Sequence, residues 1–115
     1  MEKNIVLSIL CQIYGKLLTE RQLAIMEDYY NNDLSLSEIA ENRNITRQAV
    51  RDNLIKAEKK LMEFEEKLGL MDKMFNQEQK LARVLRDINN IKNKLADEED
   101  KKILENVKKQ ISCLI

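Results

Sequence analysis

An apolar seam between positions 50 and 68 constrains the fold of this 115-residue chain more than any other feature. Its members alternate spacings of four and three residues for nearly three heptads, the periodicity of a helix that packs on other helices. Thr46 precedes the seam as a helix N-cap, and Gly69 follows it as a left-handed stop. The pattern predicts a helix of about 22 residues, about 33 Å long. The seam consists of Val50, Leu54, Ala57, Leu61, Phe64 and Leu68.

The rest of the chain also favours helices over strands. It contains no proline and only two glycines, and no window alternates apolar and polar residues as a half-buried strand does. We therefore predict an all-α protein with two parts. Residues 1–70 form a helix-turn-helix domain with a long recognition helix, and residues 71–115 form a C-terminal helical extension. We expect the extension to be a hairpin or tail that packs on the domain or on a second subunit.

The first helix is predicted to span about residues 4–17. Apolar residues recur there at every fourth position, so they lie on one face of a helix. We expect that face to be buried against other helices or against another subunit. Its members are Ile5, Ile9, Ile13 and Leu17, joined by Val6, Leu10 and Tyr14.

Two short helices follow, and each opens with a capping box, in which two side chains three residues apart bond reciprocally to backbone N–H groups. Thr19 and Gln22 open the first, and Ser35 and Glu38 open the second. Asn44 is placed to end the second helix in a left-handed conformation, which Asn tolerates better than most residues. Beyond Gly69, we predict a fifth helix from about residue 72 and a sixth from about residue 97.

Residues 34–53, LSLSEIAENRNITRQAVRDN, combine these signals into a helix-turn-helix. Ala40 is the small residue at which the two helices cross, and Asn44 is the turn residue. Ile39, Ile45 and the start of the seam are the apolar anchors. In this motif the N-terminal end of the second helix enters the major groove of DNA.

That second helix carries the residues that we expect to contact nucleic acid. The formal charge of the chain is zero, but residues 43–60 hold six Lys or Arg against two Asp or Glu, a net +4. Gln pairs with adenine, Arg with guanine or phosphate, Asp with cytosine N4, and Lys with phosphates. At 100° per residue, the positions opposite and beside the seam face outward. The candidate recognition residues from these arguments are Arg47, Gln48, Arg51, Asp52, Lys56 and Lys59.

A purely structural role fits the same pattern. Capped helix pairs are widespread in helical proteins, and short motifs produce many false matches. The zero net charge of the chain counts against DNA binding, because nucleic-acid-binding domains are usually basic, whereas the local net +4 counts for it. The residues alone leave both interpretations open.

Four segments carry a resemblance to known proteins: LLTERQ, YYNNDLSLSEIAE, ITRQAVRDN and AEKKLMEFEEKLGL, within about residues 14–70. They resemble the promoter-binding region of bacterial sigma factors and, more closely, the YlxM family of small bacterial helix-turn-helix proteins. The resemblance implies a mostly helical, winged-helix-like DNA-binding domain. It gives the recognition role to the matched positions Arg47, Gln48 and Arg51, and adds Asn53 as a seventh candidate recognition residue. It also implies a link to the signal recognition particle pathway, as an accessory or regulatory protein. Arg43 and Asn44 depart from the motif, which usually has an apolar residue and Gly there.

Two functions follow as hypotheses. The first is a regulatory protein that binds duplex DNA, and we expect a homodimer because symmetric half-sites need two-fold partners. The alternative is an accessory component of the signal recognition particle pathway that binds its protein or RNA without specific DNA binding. An excess of apolar surface over what one small core covers also favours a dimer.

No pattern indicates catalysis, a metal or another cofactor. The chain has no His and no Gly-rich phosphate loop, and Cys11 and Cys113 have no metal-binding spacing. We expect no enzyme activity, and we expect both cysteines to be buried free thiols, with a disulfide between them as the alternative. The apolar N-terminal run is too short to span a membrane and lacks a cleavage site, so we expect a cytoplasmic protein.

Overall fold

The computed structural model describes residues 2–114. These residues form α-helices joined by short turns and contain no β-strand, which confirms the all-α prediction and leaves no β-wing among them. A 3₁₀ turn, Gly15–Leu17, follows the first helix, and a π-helical turn, Glu27–Asn31, follows the second. The helices are α1 (Lys3–Tyr14), α2 (Glu20–Met26), α3 (Leu36–Arg43), α4 (Arg47–Leu68), α5 (Leu70–Lys94) and α6 (Glu98–Ser112).

The chain divides into two compact units, Met1–Met71 and Asp72–Ile115, here called the N-terminal unit and the C-terminal unit. α4 is the centre of the N-terminal unit, because α1, α2 and α3 all pack against it. The first four members of the seam are buried there, Phe64 is half-buried, and Leu68 is exposed. The buried apolar residues are Leu7, Leu10, Cys11, Tyr14, Leu18, Ile25, Met26, Ile39, Ala40, Val50, Leu54, Ala57 and Leu61.

The predicted face of α1 is confirmed in part, because Leu10 and Tyr14 are buried and Val6 and Ile13 pack partly buried against the core. The two ends of the stripe are outside the core, since Ile5 is 49% exposed and Leu17 is 59% exposed. Apolar residues surround most of α1, and therefore their spacing alone does not select the side that meets α4. In addition, α1 ends at Tyr14, which leaves Leu17 in the 3₁₀ turn. The residues of α1 that are buried are Leu7, Leu10, Cys11 and Tyr14.

Both predicted capping boxes are confirmed. In the first, the Gln22 N–H donates to Thr19 Oγ1 at 3.1 Å, and the Thr19 N–H donates to Gln22 Oε1 at 3.2 Å. The Ser35 and Glu38 pair makes the same two bonds, each of 3.1 Å. Gln22 is buried, and its Oε1 also accepts a hydrogen bond from Lys60 Nζ at 3.4 Å. The cap of α2 is thereby tied to α4.

The fifth helix begins at Leu70 rather than near residue 72. Gly69 ends α4 with φ 62°, the left-handed stop that its position predicts. The Leu70 N–H then donates to Tyr14 Oη at 3.2 Å, and the Met71 N–H donates to Glu65 Oε1 at 3.0 Å. The Tyr14 hydroxyl in turn donates to Glu65 Oε1 at 2.7 Å. Side chains of α1 and α4 thus cap α5, and this long-range cap explains the earlier start.

The C-terminal unit consists of most of α5 together with α6. Asp97 caps α6, because its Oδ1 accepts from the Glu99 N–H at 2.9 Å, and acidic residues fill the first turn, as predicted. An ion pair between Lys92 and Glu105 joins the two helices. None of the described residues of α5 and α6 is buried.

The two cysteines are free, and only one of them is buried. Cys11 lies in the core of the N-terminal unit, as predicted, but Cys113 is exposed. The prediction for Cys113 is wrong because α6 buries none of its described side chains. Among residues 2–114, no helix combines the length and the apolar composition that a membrane span requires.

Candidate nucleic-acid interface

The corner between α3 and α4 has the geometry of a helix-turn-helix. Asn44 adopts φ 55° and ψ 46°, the left-handed conformation predicted for it. The Ile45 N–H donates to the Ala40 carbonyl oxygen at 3.0 Å, which satisfies one of the last carbonyls of α3. Ile45 then packs partly buried against the core. The chain therefore turns within the three residues between α3 and α4 and enters α4 in a defined direction.

The start of α4 is fixed in both position and rotation. Thr46 Oγ1 accepts a hydrogen bond from the Ala49 N–H at 3.0 Å, so the N-cap is the predicted one. Val50 is fully buried and Leu54 is 6% exposed. Because these two side chains hold one side of the helix in the core, the opposite side of its first turns must face solvent.

Six of the seven candidate recognition residues lie on that solvent-facing side. Gln48 Nε2 donates to Asp52 Oδ1 at 2.9 Å, so these two exposed side chains are already paired along the helix. Asn53 differs, because it is half-buried and its Nδ2 donates to the Ala49 carbonyl oxygen of its own helix at 2.8 Å. The exposed members are Arg47, Gln48, Arg51, Asp52, Lys56 and Lys59.

The basic side chains of residues 43–60 fall into two groups. Arg43 Nε donates to Asp28 Oδ2 at 2.7 Å, and this bond raises the pKa of Arg43. Lys60 is half-buried and bonded to Gln22. The other four make no ion pair with any residue of the described chain, so their charges are available to an anionic ligand. They are Arg47, Arg51, Lys56 and Lys59.

Two contacts that hold this surface in place were missed by the sequence analysis. The ion pair between Arg43 and Asp28 ties the end of α3 to the π-helical turn, across 15 residues of sequence. Tyr30 donates a hydrogen bond to Glu58 of α4. Burial raises the pKa of Tyr30, and the bond to Glu58 raises it further. No periodicity or cap pattern reports contacts between side chains so far apart in sequence.

Comparisons with known proteins cover almost the whole chain. A family model described as "Putative helix-turn-helix protein, YlxM / p13 like" matches residues 1–111. A UPF0122 protein of Acetivibrio thermocellus is 42% identical over 115 residues, covering 100% of this chain and 98% of the relative. A UPF0122 protein of Clostridium acetobutylicum is 37% identical over 113 residues, 97% of each chain. One of Malacoplasma penetrans is 42% identical over 93 residues, 81% of this chain and 85% of the relative.

Proposed function

Because the chain belongs to the UPF0122 family of YlxM / p13-like helix-turn-helix proteins, we propose that it is a regulatory protein that binds duplex DNA. The observation that carries the proposal is the solvent-facing start of α4, directly after a left-handed helix-turn-helix corner. The family membership confirms the resemblance to YlxM proteins. The role is one of binding, and we assign no catalysis to it.

In this proposal the first two turns of α4 enter the major groove. Arg47 and Arg51 contact guanine or phosphate, and Gln48 reads adenine after its bond to Asp52 opens. Lys56 and Lys59 lie further along the helix and contact backbone phosphates. Asn53 contributes to positioning rather than to base reading, because its amide is bonded within α4. One short motif gives little affinity, so we expect two copies to bind two half-sites.

The test compares two arginine pairs in the full-length chain. A duplex is first selected from a random-sequence pool, and its affinity is then measured over a range of salt concentrations. We expect Arg47→Ala with Arg51→Ala to weaken binding by about 1–3 kcal/mol for each lost base contact and to reduce the salt slope by about 0.9 for each lost phosphate contact. Arg83→Ala with Arg86→Ala removes the same charge from exposed sites on α5 and is the matched control.

Two outcomes contradict this proposal. Equal loss from both arginine pairs means that binding follows net charge rather than the α4 surface. Absence of any salt-dependent binding by the wild-type chain means that duplex DNA is not the ligand.

An accessory role in the signal recognition particle pathway remains the alternative prediction from the resemblance. Neither the family description nor the names of the relatives mention that particle. Capture of purified particle protein or RNA, with and without nuclease, tests this role. Nuclease-resistant capture together with no DNA binding favours the alternative over the DNA-binding proposal.

A further inference from the structure

The polar side chains at the start of α4 are arranged in a definite order around the helix. The four buried side chains of α4 define its core side. At 100° per residue, Asp52 lies within about 10° of the direction opposite that side, and Gln48 lies within about 30° of it. Arg51 lies about 90° round on one flank, and Lys56 lies about 50° round on the other. A carboxylate and an amide, with cations on both flanks, would therefore be the first groups to approach the floor of a DNA groove.

Asp52 is an unexpected residue at the centre of a surface that binds an anionic ligand. Among residues 44–62 it is the one exposed carboxylate, because Glu58 is half-buried and accepts a hydrogen bond from Tyr30. The four unpaired cations of α4 lie around it. A negative charge at this position opposes contact between the surface and phosphates. It therefore lowers the affinity for DNA of every sequence, unless a base contacts the carboxylate favourably.

The Asp52 carboxylate has one oxygen engaged and one oxygen available. Gln48 Nε2 donates to Asp52 Oδ1 at 2.9 Å. No donor among the described residues bonds to Asp52 Oδ2. An ionised carboxylate accepts hydrogen bonds but cannot donate them. The centre of the α4 surface can therefore pair with a donor on the edge of a base, but not with an acceptor.

The four bases offer different edges to a carboxylate in the major groove. Cytosine presents only its N4 amino donor, whereas guanine and thymine present acceptors, and adenine presents an acceptor beside its donor. An acceptor-only side chain is therefore matched best by cytosine. Gln48 and Asp52 are four residues apart, about 6 Å along the helix, and successive base pairs are about 3.4 Å apart. The base that contacts Asp52 thus lies within about two base pairs of the base that contacts Gln48.

We propose that Asp52 determines the sequence specificity of the α4 surface by accepting a hydrogen bond from N4 of a cytosine. This inference rests on the proposed function and names one base that the surface selects. At a site with an adenine and a cytosine, both side chains gain a base partner when the Gln48–Asp52 bond opens. At other sites the carboxylate loses water without gaining a donor, which is unfavourable for a charged group. Asp52 thus selects against wrong sequences as well as for the right one.

A purely structural role for Asp52 predicts a different result. Hydrogen bonds between side chains four residues apart stabilise a helix only slightly, and this bond lies on an exposed surface. Asp52→Asn keeps an oxygen that can accept from Gln48, but it removes the charge and adds an N–H donor. The Asn side chain can therefore pair with thymine as well as with cytosine. If Asp52 only supports the helix, this variant should leave the choice of DNA sequence unchanged.

The first test is selection of duplexes from a random-sequence pool by the full-length wild type and by Asp52→Asn in parallel. The wild-type sites should contain a cytosine within about two base pairs of an adenine, and the variant should lose the preference for cytosine. Replacing that C·G pair by T·A should weaken wild-type binding about 5- to 150-fold and variant binding less than about threefold. A wild type that binds DNA without a preference for cytosine, or a variant that keeps the preference, overturns the role of Asp52 and leaves the DNA-binding proposal intact.

The second test measures affinity for a duplex of unrelated sequence at about 0.1 M salt. Asp52→Asn should bind it about two- to fivefold more tightly, because it removes one unit charge about 4 Å from a phosphate. Glu66→Gln is the matched control, since Glu66 is exposed on the same side of α4 but about 21 Å further along, beyond the screening length. Circular dichroism checks that each variant keeps its helices. Equal changes from both variants overturn the role of Asp52, whereas a wild type that binds no DNA overturns the proposed function itself.

Discussion

The N-terminal and C-terminal units are both built from amphipathic helices, yet the first has a buried core and residues 72–114 of the second include no buried side chain. In the N-terminal unit, three helices pack against the central α4 and bury the first four residues of its seam. In the C-terminal unit, α5 and α6 are longer on average, but every described side chain of these two helices is half-buried or exposed. The comparison shows that apolar periodicity specifies a helix and its face, whereas a core requires enough neighbours to surround that face.

The units also differ in how their helices are fixed by polar contacts. Hydrogen bonds between side chains distant in sequence hold α4 in the N-terminal unit, among them those from Tyr14 to Glu65 and from Tyr30 to Glu58. In the C-terminal unit, an ion pair between Lys92 and Glu105 joins α5 and α6. A surface that reads DNA needs this rigid support, because recognition side chains must be held in a defined geometry.

The largest expected effect is a difference in the cost of truncating the two sets of apolar contacts. Leu10 is fully buried beside α4, so Leu10→Ala should lower the free energy of unfolding by about 2–5 kcal/mol. Leu85 is half-buried on α5, so Leu85→Ala should cost about 1 kcal/mol. Urea denaturation of the full-length chain, followed by circular dichroism, measures both. Equal costs would mean that the C-terminal unit is as well packed in solution as the N-terminal unit.

Alkaline pH should affect the N-terminal unit. Burial and the bonds to Glu65 and Glu58 raise the pKa of Tyr14 and of Tyr30, respectively. The unfolded chain has tyrosines with a pKa of about 10, so the folded state holds these protons more tightly. Their stabilising contribution is complete below about pH 10 and is lost as the pH rises above it.

Acidic pH should affect the C-terminal unit instead. The hydrogen bond from Lys92 lowers the pKa of Glu105, so that contribution is present above about pH 4.3, the ordinary value for Glu. It is lost as the pH falls through the lowered pKa in the folded state. Urea midpoints measured from acidic to alkaline pH test both branches. Tyr30→Phe should reduce the pH dependence of the urea midpoint at alkaline pH and leave it unchanged at acidic pH. Glu105→Gln should reduce it at acidic pH only. A variant that changes the pH dependence in the other range contradicts the proposed source of that dependence.

Local signals predicted α4 and its corner well, but they did not predict the partners of individual side chains. The limits of α4, Arg47–Leu68, follow from the Thr46 N-cap, the apolar seam and the Gly69 C-cap, because caps and periodicity act within a few residues. The start of α5 was misplaced because Tyr14 and Glu65 supply its cap from other helices. The outward direction of the candidate recognition residues followed from helix angles, whereas the Arg43 contact to Asp28 depends on how α3 meets the π-helical turn.

The smallest expected effect concerns ion pairs. Arg43 and Asp28 are 2.7 Å apart, and the Asp28 side chain is only 14% exposed, so Arg43→Ala should cost about 1 kcal/mol of stability. Lys101 and Glu98 are 3.3 Å apart within α6, and the Glu98 side chain is 80% exposed, so Lys101→Ala should cost about 0.3 kcal/mol. Urea midpoints at low and high salt measure both costs. High salt should reduce the cost of Lys101→Ala more than the cost of Arg43→Ala, because salt screens exposed charges more strongly than partly buried ones.

The same variant separates a positioning role from a DNA contact. Because Arg43 is bound to Asp28, Arg43→Ala should lower stability while leaving the salt slope of DNA binding unchanged. A slope reduced by about 0.9 would instead count Arg43 among the phosphate-binding residues. That result would move the edge of the proposed interface from the start of α4 back to the end of α3. Arg43 occupies the position where the motif usually has an apolar residue, so its ion pair would then be a resting contact that DNA replaces.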